Sequence, residues 1–178
     1  MKKFRSTTIL AIYKENYGVI AGDGQVTAGE TIIKSTSNKI RKLFKNNVLV
    51  GFAGAAADAI TLFDKFEEHL QKNNGQLYKS AVELAKEWRT DRILRRLSAQ
   101  LAVVSKEGIL LISGSGDVIQ PDDGIIAIGS GGPFALAAAR ALLKFSKLPL
   151  KKIAEEAIRI AAEICIYTNE NIIVEELK

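Results

Sequence analysis

One cysteine and one histidine in a chain of 178 residues close off most familiar catalytic repertoires. An intrachain disulfide framework is excluded, as are a Cys/His zinc cluster within one chain and any two-histidine metal motif. Long apolar runs are missing too. The longest uncharged stretch, residues 124–139, is broken by Gly129-Ser130-Gly131-Gly132-Pro133 and is too short to cross a bilayer. The apolar stretch behind Met1-Lys2-Lys3-Phe4-Arg5-Ser6 ends by Tyr13, with Lys14 and Glu15 next, so a signal-peptide core is a poor fit and a cytoplasmic location is expected. Phosphate-binding glycine motifs are also lacking. There is no GxxxxGK[ST], and none of Gly22-Asp23-Gly24, Gly114-Ser115-Gly116 or Gly129-Ser130-Gly131-Gly132 completes GxGxxG, so these glycines read as tight turns and no nucleotide is expected on this chain.

What is present is the composition of one globular domain. Hydrophobic residues make up 47% and charged residues 25%, which excludes disorder, collagen and coiled coil. The 25 Lys and Arg against 20 Asp and Glu give a net charge of +5, a mild excess short of a nucleic-acid-binding tail. Strand texture runs over residues 7–13, 17–21 and 47–52. From Ala57 the period changes: Ile60, Phe63, Phe66 and Leu70 predict an amphipathic helix that stops near Asn73-Asn74-Gly75. Ala81, Leu84, Ala85 and Trp88 predict a second helix, with Ile93, Leu94 and Leu97 continuing its stripe. Strand signals return at 101–104, 108–112 and 125–128. A helix then starts after Pro133, another near Pro149 with Ile153, Ala157, Ile160, Ala161 and Ile164 on one face, and a last strand covers 172–174. Strands do not alternate one for one with helices. The order predicts an α+β fold: a single domain of two antiparallel sheets packed together and covered by helix pairs.

The scarcities bear on chemistry. A Ser-His-Asp triad needs His69, which lies beside the apolar stripe of a helix and reads as partly exposed and without a role. Cys165, in Ile164-Cys165-Ile166, reads as a small buried apolar residue. Hydrolysis without a histidine base is possible with an N-terminal threonine or serine, whose own α-amino group, of pKa about 7.7–8.0, serves as the base. Ser6-Thr7-Thr8-Ile9-Leu10 stands behind a short basic leader, and a cut between Ser6 and Thr7 exposes such a residue. On the residues alone Thr7-Thr8 reads sooner as ordinary strand residues; if Thr7 is the nucleophile, hydrolysis is expected to be abolished in Thr7→Ala and unaffected in Thr8→Ala.

Several segments in order carry a resemblance. They are Thr7-Thr8-Ile9-Leu10; Ala21-Gly22-Asp23-Gly24-Gln25-Val26-Thr27; Gly51-Phe52-Ala53-Gly54 with Ala57-Asp58; Glu87-Trp88-Arg89-Thr90-Asp91; Ile128-Gly129-Ser130-Gly131-Gly132-Pro133; and Ile164-Cys165-Ile166-Tyr167-Thr168-Asn169. Together they resemble HslV, a family of proteasome-like peptidases in ATP-dependent bacterial proteases, over essentially the whole chain from Thr7. The resemblance implies an N-terminal-nucleophile hydrolase with a four-layer αββα sandwich and a peptidase domain of residues 7–178. The leader of residues 1–6 departs from relatives that carry only an initiator methionine, so activity is expected to require its removal, by self-cleavage between Ser6 and Thr7. The resemblance implies Thr7 as the nucleophile, Asp23 and Lys39 beside it, Ser130 as a hydrogen-bond partner for the amine or a bridging water, and Gly54 as the oxyanion donor. It further implies a sodium ion held by main-chain carbonyls at Ala162, Cys165 and Thr168, where Ala162 departs from the family's glycine. Cys165 is then a carbonyl donor, since a hard cation prefers oxygen. Implied partners are a hexameric HslU (ClpY) ATPase that supplies unfolded polypeptide substrates, and further copies of the chain in two stacked hexameric rings.

Arg89, Arg92, Arg95 and Arg96 with Asp91 provide charge for such contacts or form a solvated helix face. Two other functions fit parts of the sequence. One is an inactive ring component of the same fold. The other is a basic nucleic-acid-binding protein, motivated by Lys34, Lys39, Arg41, Lys42 and Lys45 with no intervening acid, though aromatic interleaving is thin.

Overall fold

The structure, a computed structural model, describes residues 4–5, 8–97 and 99–177. In chain order the strands are β1 (Phe4–Arg5), β2 (Thr8–Lys14), β3 (Tyr17–Gly22), β4 (Val26–Ala28), β5 (Thr31–Lys34), β6 (Ile40–Leu43) and β7 (Val48–Gly54). Helices α1 (Ala56–Lys72) and α2 (Leu77–Thr90) follow, then β8 (Ala99–Ser105), β9 (Gly108–Ser113), β10 (Val118–Ile119) and β11 (Ile125–Gly129). Helices α3 (Gly132–Phe145) and α4 (Leu150–Ile164) and strand β12 (Ile173–Leu177) complete the order.

Two antiparallel sheets form the centre. One runs β11-β2-β3-β12 and the other β10-β9-β8-β7-β6, while β1-β4-β5 make a small third sheet. Alternation along each central strand sends its side chains to two different apolar layers. In β2, Ile9 and Ala11 face the space between the sheets, whereas Leu10 and Ile12 face α3 and α4. In β7, Leu49 and Ala53 face the inter-sheet space, and Val48, Val50 and Phe52 meet Phe66, Leu84 and Trp88 of the first helix pair. Three stacked apolar layers between four structural layers are the αββα sandwich that the element order predicted.

The sheets are locked by close approaches at two glycines. A Cβ on Gly51 of β7 would stand 2.5 Å from Ile9 Cγ2, and one on Gly18 of β3 would stand 2.2 Å from Val104 Cγ1. Only the missing side chains let these branched residues of the facing sheet seat themselves.

Several predicted positions shift. Ile60 is exposed, and Leu62 joins Phe63, Phe66 and Leu70 in the buried stripe of α1. The stripe of α2 ends at Trp88, because Asp91 Oδ1 accepts the amides of Ile93 and Leu94 at 2.8 and 2.9 Å and breaks the helix. Ile93 is then exposed and only Leu94 of that group is buried, as expected when a short side chain competes locally for backbone donors. In α4 the buried face is Ile153, Ala154, Ala157, Ile158 and Ala161, while Ile164 is exposed. The last strand begins and ends later than predicted, because Glu175 and Glu176 pair with Ile20 and Val19 of β3 at the sheet's edge. Among the described residues no helix is long and apolar enough to cross a membrane.

Candidate active site

The start of β2, the turn after β3 and the segment entering β6 meet at one buried spot. β3 delivers Asp23 directly after its last residue, and the side chain of Asp23 is fully buried. Its Oδ1 accepts the amide of Thr8 and the ammonium of Lys39, each at 2.8 Å. Its Oδ2 accepts the amides of Gln25 at 2.8 Å and Asn169 at 3.3 Å. The Asp23 amide in turn donates to the carbonyl of Thr8. The turn that the sequence marked as glycine-rich therefore folds around its own carboxylate.

Lys39 is 8% exposed and stands just before β6, whose register against β7 sets Ile40 opposite Gly51. Its carbonyl accepts the amide of Phe52, which brings Lys39 within two residues of Gly54 along β7. Burial pushes the Lys39 ammonium below lysine's ordinary pKa, with the Asp23 charge and hydrogen bond opposing that fall. Gly54 ends β7 at φ 153°, a conformation that L side chains rarely adopt, and there pairs with Ala99. Lys39 thus bridges the two central sheets, its ammonium on Asp23 next to β3 and its carbonyl on β7 two residues before Gly54.

Ser130 is exposed in the turn between β11 and α3, flanked by Gly129 at φ 88° and buried Gly131. The amide of Gly131 donates to Thr8 Oγ1 at 3.0 Å, so the Ser130 turn is tied to the first residue of β2. Thr7, the predicted nucleophile, lies outside the described residues, as does Ser6. It precedes Thr8 in the chain, and the Thr8 amide is the group seated on the Asp23–Lys39 pair.

Ala162, Cys165 and Thr168 lie in and just beyond the last turn of α4. That turn carries no basic residue, so the helix itself supplies no cationic side chain to offset the partial negative charge at its end. Cys165 is a free, buried cysteine, and its carbonyl accepts the Thr168 amide. Main-chain oxygens are the donor type a hard cation prefers, and a thiol is not. The turn also borders the site: Thr168 Oγ1 is 2.7 Å from Thr8 Oγ1 and the next residue, Asn169, reaches Asp23.

Thr8 opens β2, as the strand reading expected, and its hydroxyl is buried and hydrogen-bonded. One sequence reading is revised. The basic run does not form one free patch, since Lys39 is buried on Asp23 and Lys42 pairs with Glu175 at 2.5 Å. His69 is half-buried between α1 and α2, with Nδ1 3.2 Å from Glu83 and Nε2 2.7 Å from Glu87, away from the Asp23–Lys39 pair in sequence and engaged elsewhere.

The sequence matches the Proteasome family, described as proteasome subunit, over residues 3–177. The structure is similar to that of eukaryotic HslV from Trypanosoma brucei, at 51% identity and TM-score 0.91, covering 96% of this chain and 99% of that one. The chain belongs to the proteasome family, as an HslV-type member. It is accordingly an N-terminal threonine peptidase of the four-layer Ntn-hydrolase fold. BPH from Thiobacillus denitrificans, solved in complex with epoxomicin, is 20% identical with TM-score 0.72, over 96% of this chain and 99% of that one. A second BPH structure from that organism is 19% identical with TM-score 0.71, over 96% and 98%. At that identity the BPH structures bear on the fold alone.

Proposed function

We propose that this HslV-type peptidase is matured by cleavage between Ser6 and Thr7 and that Thr7 is then its nucleophile. The observation that carries this reading is the buried Asp23–Lys39 pair, 2.8 Å apart, with the Thr8 amide on the same carboxylate oxygen. A cation fixed beside the new terminus disfavours protonation of the Thr7 amine and lowers its pKa, so that it is a competent base near neutral pH. Asp23 holds Lys39 charged and in place.

In the proposed reaction the amine takes the proton of the Thr7 hydroxyl as Oγ1 attacks the scissile carbonyl. The Gly54 amide receives the oxyanion. Collapse of the tetrahedral adduct breaks the C–N bond, and the leaving amine takes the proton. Water then hydrolyses the Thr7 ester by the same relay, with Ser130 hydrogen-bonding the amine or that water. Main-chain oxygens of Ala162, Cys165 and Thr168 would hold a sodium ion, whose charge would steady the turn that reaches Thr8 and Asp23.

The chain binds no nucleotide in this reading, so digestion of folded proteins requires an unfolding partner. The HslV kinship supports an HslU-type ATPase hexamer in that role, two stacked hexameric rings of this chain, unfolded polypeptides as substrates and a cytoplasmic setting. Hydrolysis of a fluorogenic peptide, read with the intact mass of the purified protein, tests the proposal. Active enzyme is expected to begin at Thr7, and Thr7→Ala to abolish turnover. Full activity from protein that still begins at Met1 would overturn it, as would full activity of Thr7→Ala.

A further inference from the structure

The second threonine of the pair is bound more completely than a strand residue needs to be. Thr8 is 0% exposed. Its amide and carbonyl both engage Asp23, the first as donor to Oδ1 at 2.8 Å and the second as acceptor of the Asp23 amide at 3.2 Å. Its hydroxyl lies 3.0 Å from the Gly131 nitrogen and 2.7 Å from Thr168 Oγ1. An amide N–H donates, so Gly131 occupies one lone pair of Thr8 Oγ1, and the Thr8 and Thr168 hydroxyls make a further bond in which either can donate. One residue thereby joins the turn that carries Ser130, the turn that follows α4 and the Asp23–Lys39 pair.

Gly131 reveals how tightly this junction is built. A Cβ there would stand 2.3 Å from Thr8 Oγ1 and 2.5 Å from Thr168 Oγ1, distances no real contact allows. The backbone of the Ser130 turn has come as close to the two hydroxyls as a missing side chain permits. Thr168 is itself 5% exposed, so water cannot readily replace either partner, and a lost hydroxyl leaves a buried amide unmatched.

We infer that Thr8, through its hydroxyl, is a positioning residue for peptide hydrolysis: it holds the Ser130 turn and the post-α4 turn in register with the Asp23–Lys39 pair. This rests on the reading of Thr7 as nucleophile, whose backbone continues directly into Thr8. The hydroxyl does not touch the reacting atoms and carries no proton in the reaction. It sets where Ser130 stands relative to the amine of Thr7, so its removal slows turnover while leaving peptide binding largely intact.

Thr8→Val keeps the branched shape and deletes the hydroxyl, and Thr8→Ser keeps the hydroxyl and deletes the methyl group. In processed enzyme verified by intact mass, Thr8→Val is expected to lower kcat for a fluorogenic peptide at least tenfold, with KM changed less than twofold. Thr8→Ser is expected to retain kcat within threefold of the wild type. Wild-type kcat in Thr8→Val overturns the inference, and so does an equal loss in Thr8→Ser, which would assign the effect to packing. If Thr8→Val fails to fold, Thr168→Val removes the other hydroxyl of the pair: a loss of kcat of about fivefold supports the inference and an unchanged kcat overturns it. Activity remaining in Thr7→Ala strikes at the nucleophile itself and so separates failure of that reading from failure of this one.

Discussion

Four donors converge on the two oxygens of Asp23, and one of them is a lysine with almost no solvent of its own. Removing Lys39 leaves the carboxylate buried without its charge partner. Breaking such a pair from one side costs about 3–5 kcal/mol, and general-base catalysis, which Lys39 supports in the proposed mechanism, typically contributes about 10²–10⁴ in rate. Lys39→Ala is therefore expected to lower the urea midpoint at neutral pH and to lose peptide hydrolysis at least a hundredfold. The pH dependence has a definite sign. Because burial sets the folded-state pKa of Lys39 below the ordinary lysine value, the unfolded chain holds that proton more tightly. The Lys39 contribution to stability then rises with pH through the alkaline range up to the ordinary value. The gap in urea midpoint between wild type and Lys39→Ala should widen over that range, and a gap that narrows would contradict the assignment.

At the scale of elements, the first helix pair is joined at its surface by a small polar clamp. Glu83 on α2 receives Asn73 Nδ2 at 3.0 Å and Lys72 and His69 at 3.2 Å each, and Glu87 receives His69 and Lys65. The Asn73 amide, followed by Lys72, holds the Glu83 carboxyl at about 2, well below its ordinary 4.5. A carboxylate lowered in this way adds stability above the unfolded value and loses it as pH falls toward the folded one. Glu83→Gln should be less stable than wild type at pH 7 in urea titration, with the difference shrinking between pH 4.5 and pH 2. A difference that persists at pH 2 would show that it does not come from the ionised carboxyl.

These helices were legible in the sequence because their apolar faces repeat at helical spacing against charged partners. Strand β5 was not, because all four of its residues are exposed and it offers no alternation to read. The site was legible unevenly for a related reason. Resemblance alone picked out Asp23, Lys39, Gly54 and Ser130; spacing could not, since Lys39 sits among other basic residues and only the fold buries it. The role of Thr8 was illegible, since its hydroxyl partners lie 123 and 160 residues away and a threonine at a strand's start looks the same with or without them. Ile60 and Ile164 failed for the opposite reason: their apolar letters fit the stripe, yet both point out of the core.

Across the whole molecule, the inter-sheet layer is seated on Gly51 and Gly18. Gly51→Ala places a methyl group 2.5 Å from Ile9 Cγ2, in a layer where Ile9 and Leu49 are wholly buried. Overpacking of this kind costs about 1–3 kcal/mol. A lower melting temperature with a retained far-ultraviolet circular dichroism spectrum is expected, and an unchanged melting temperature would mean that the layer is looser than the contacts indicate.

The same seats constrain how such a peptidase could be switched. Thr8 opens β2 and Asp23 directly follows β3 of one sheet, while Lys39 directly precedes β6 and Gly54 ends β7 of the other, so slippage between the sheets would pull the site apart. With Ile9 lodged at Gly51 and Val104 at Gly18, close packing opposes that gliding motion, and the two halves of the site are expected to move together. An activating partner would then have to move the two halves together with the turns that Thr8 and Asp23 tie to them, around residues 24–25, 129–131 and 165–169, or change how whole subunits are set against one another.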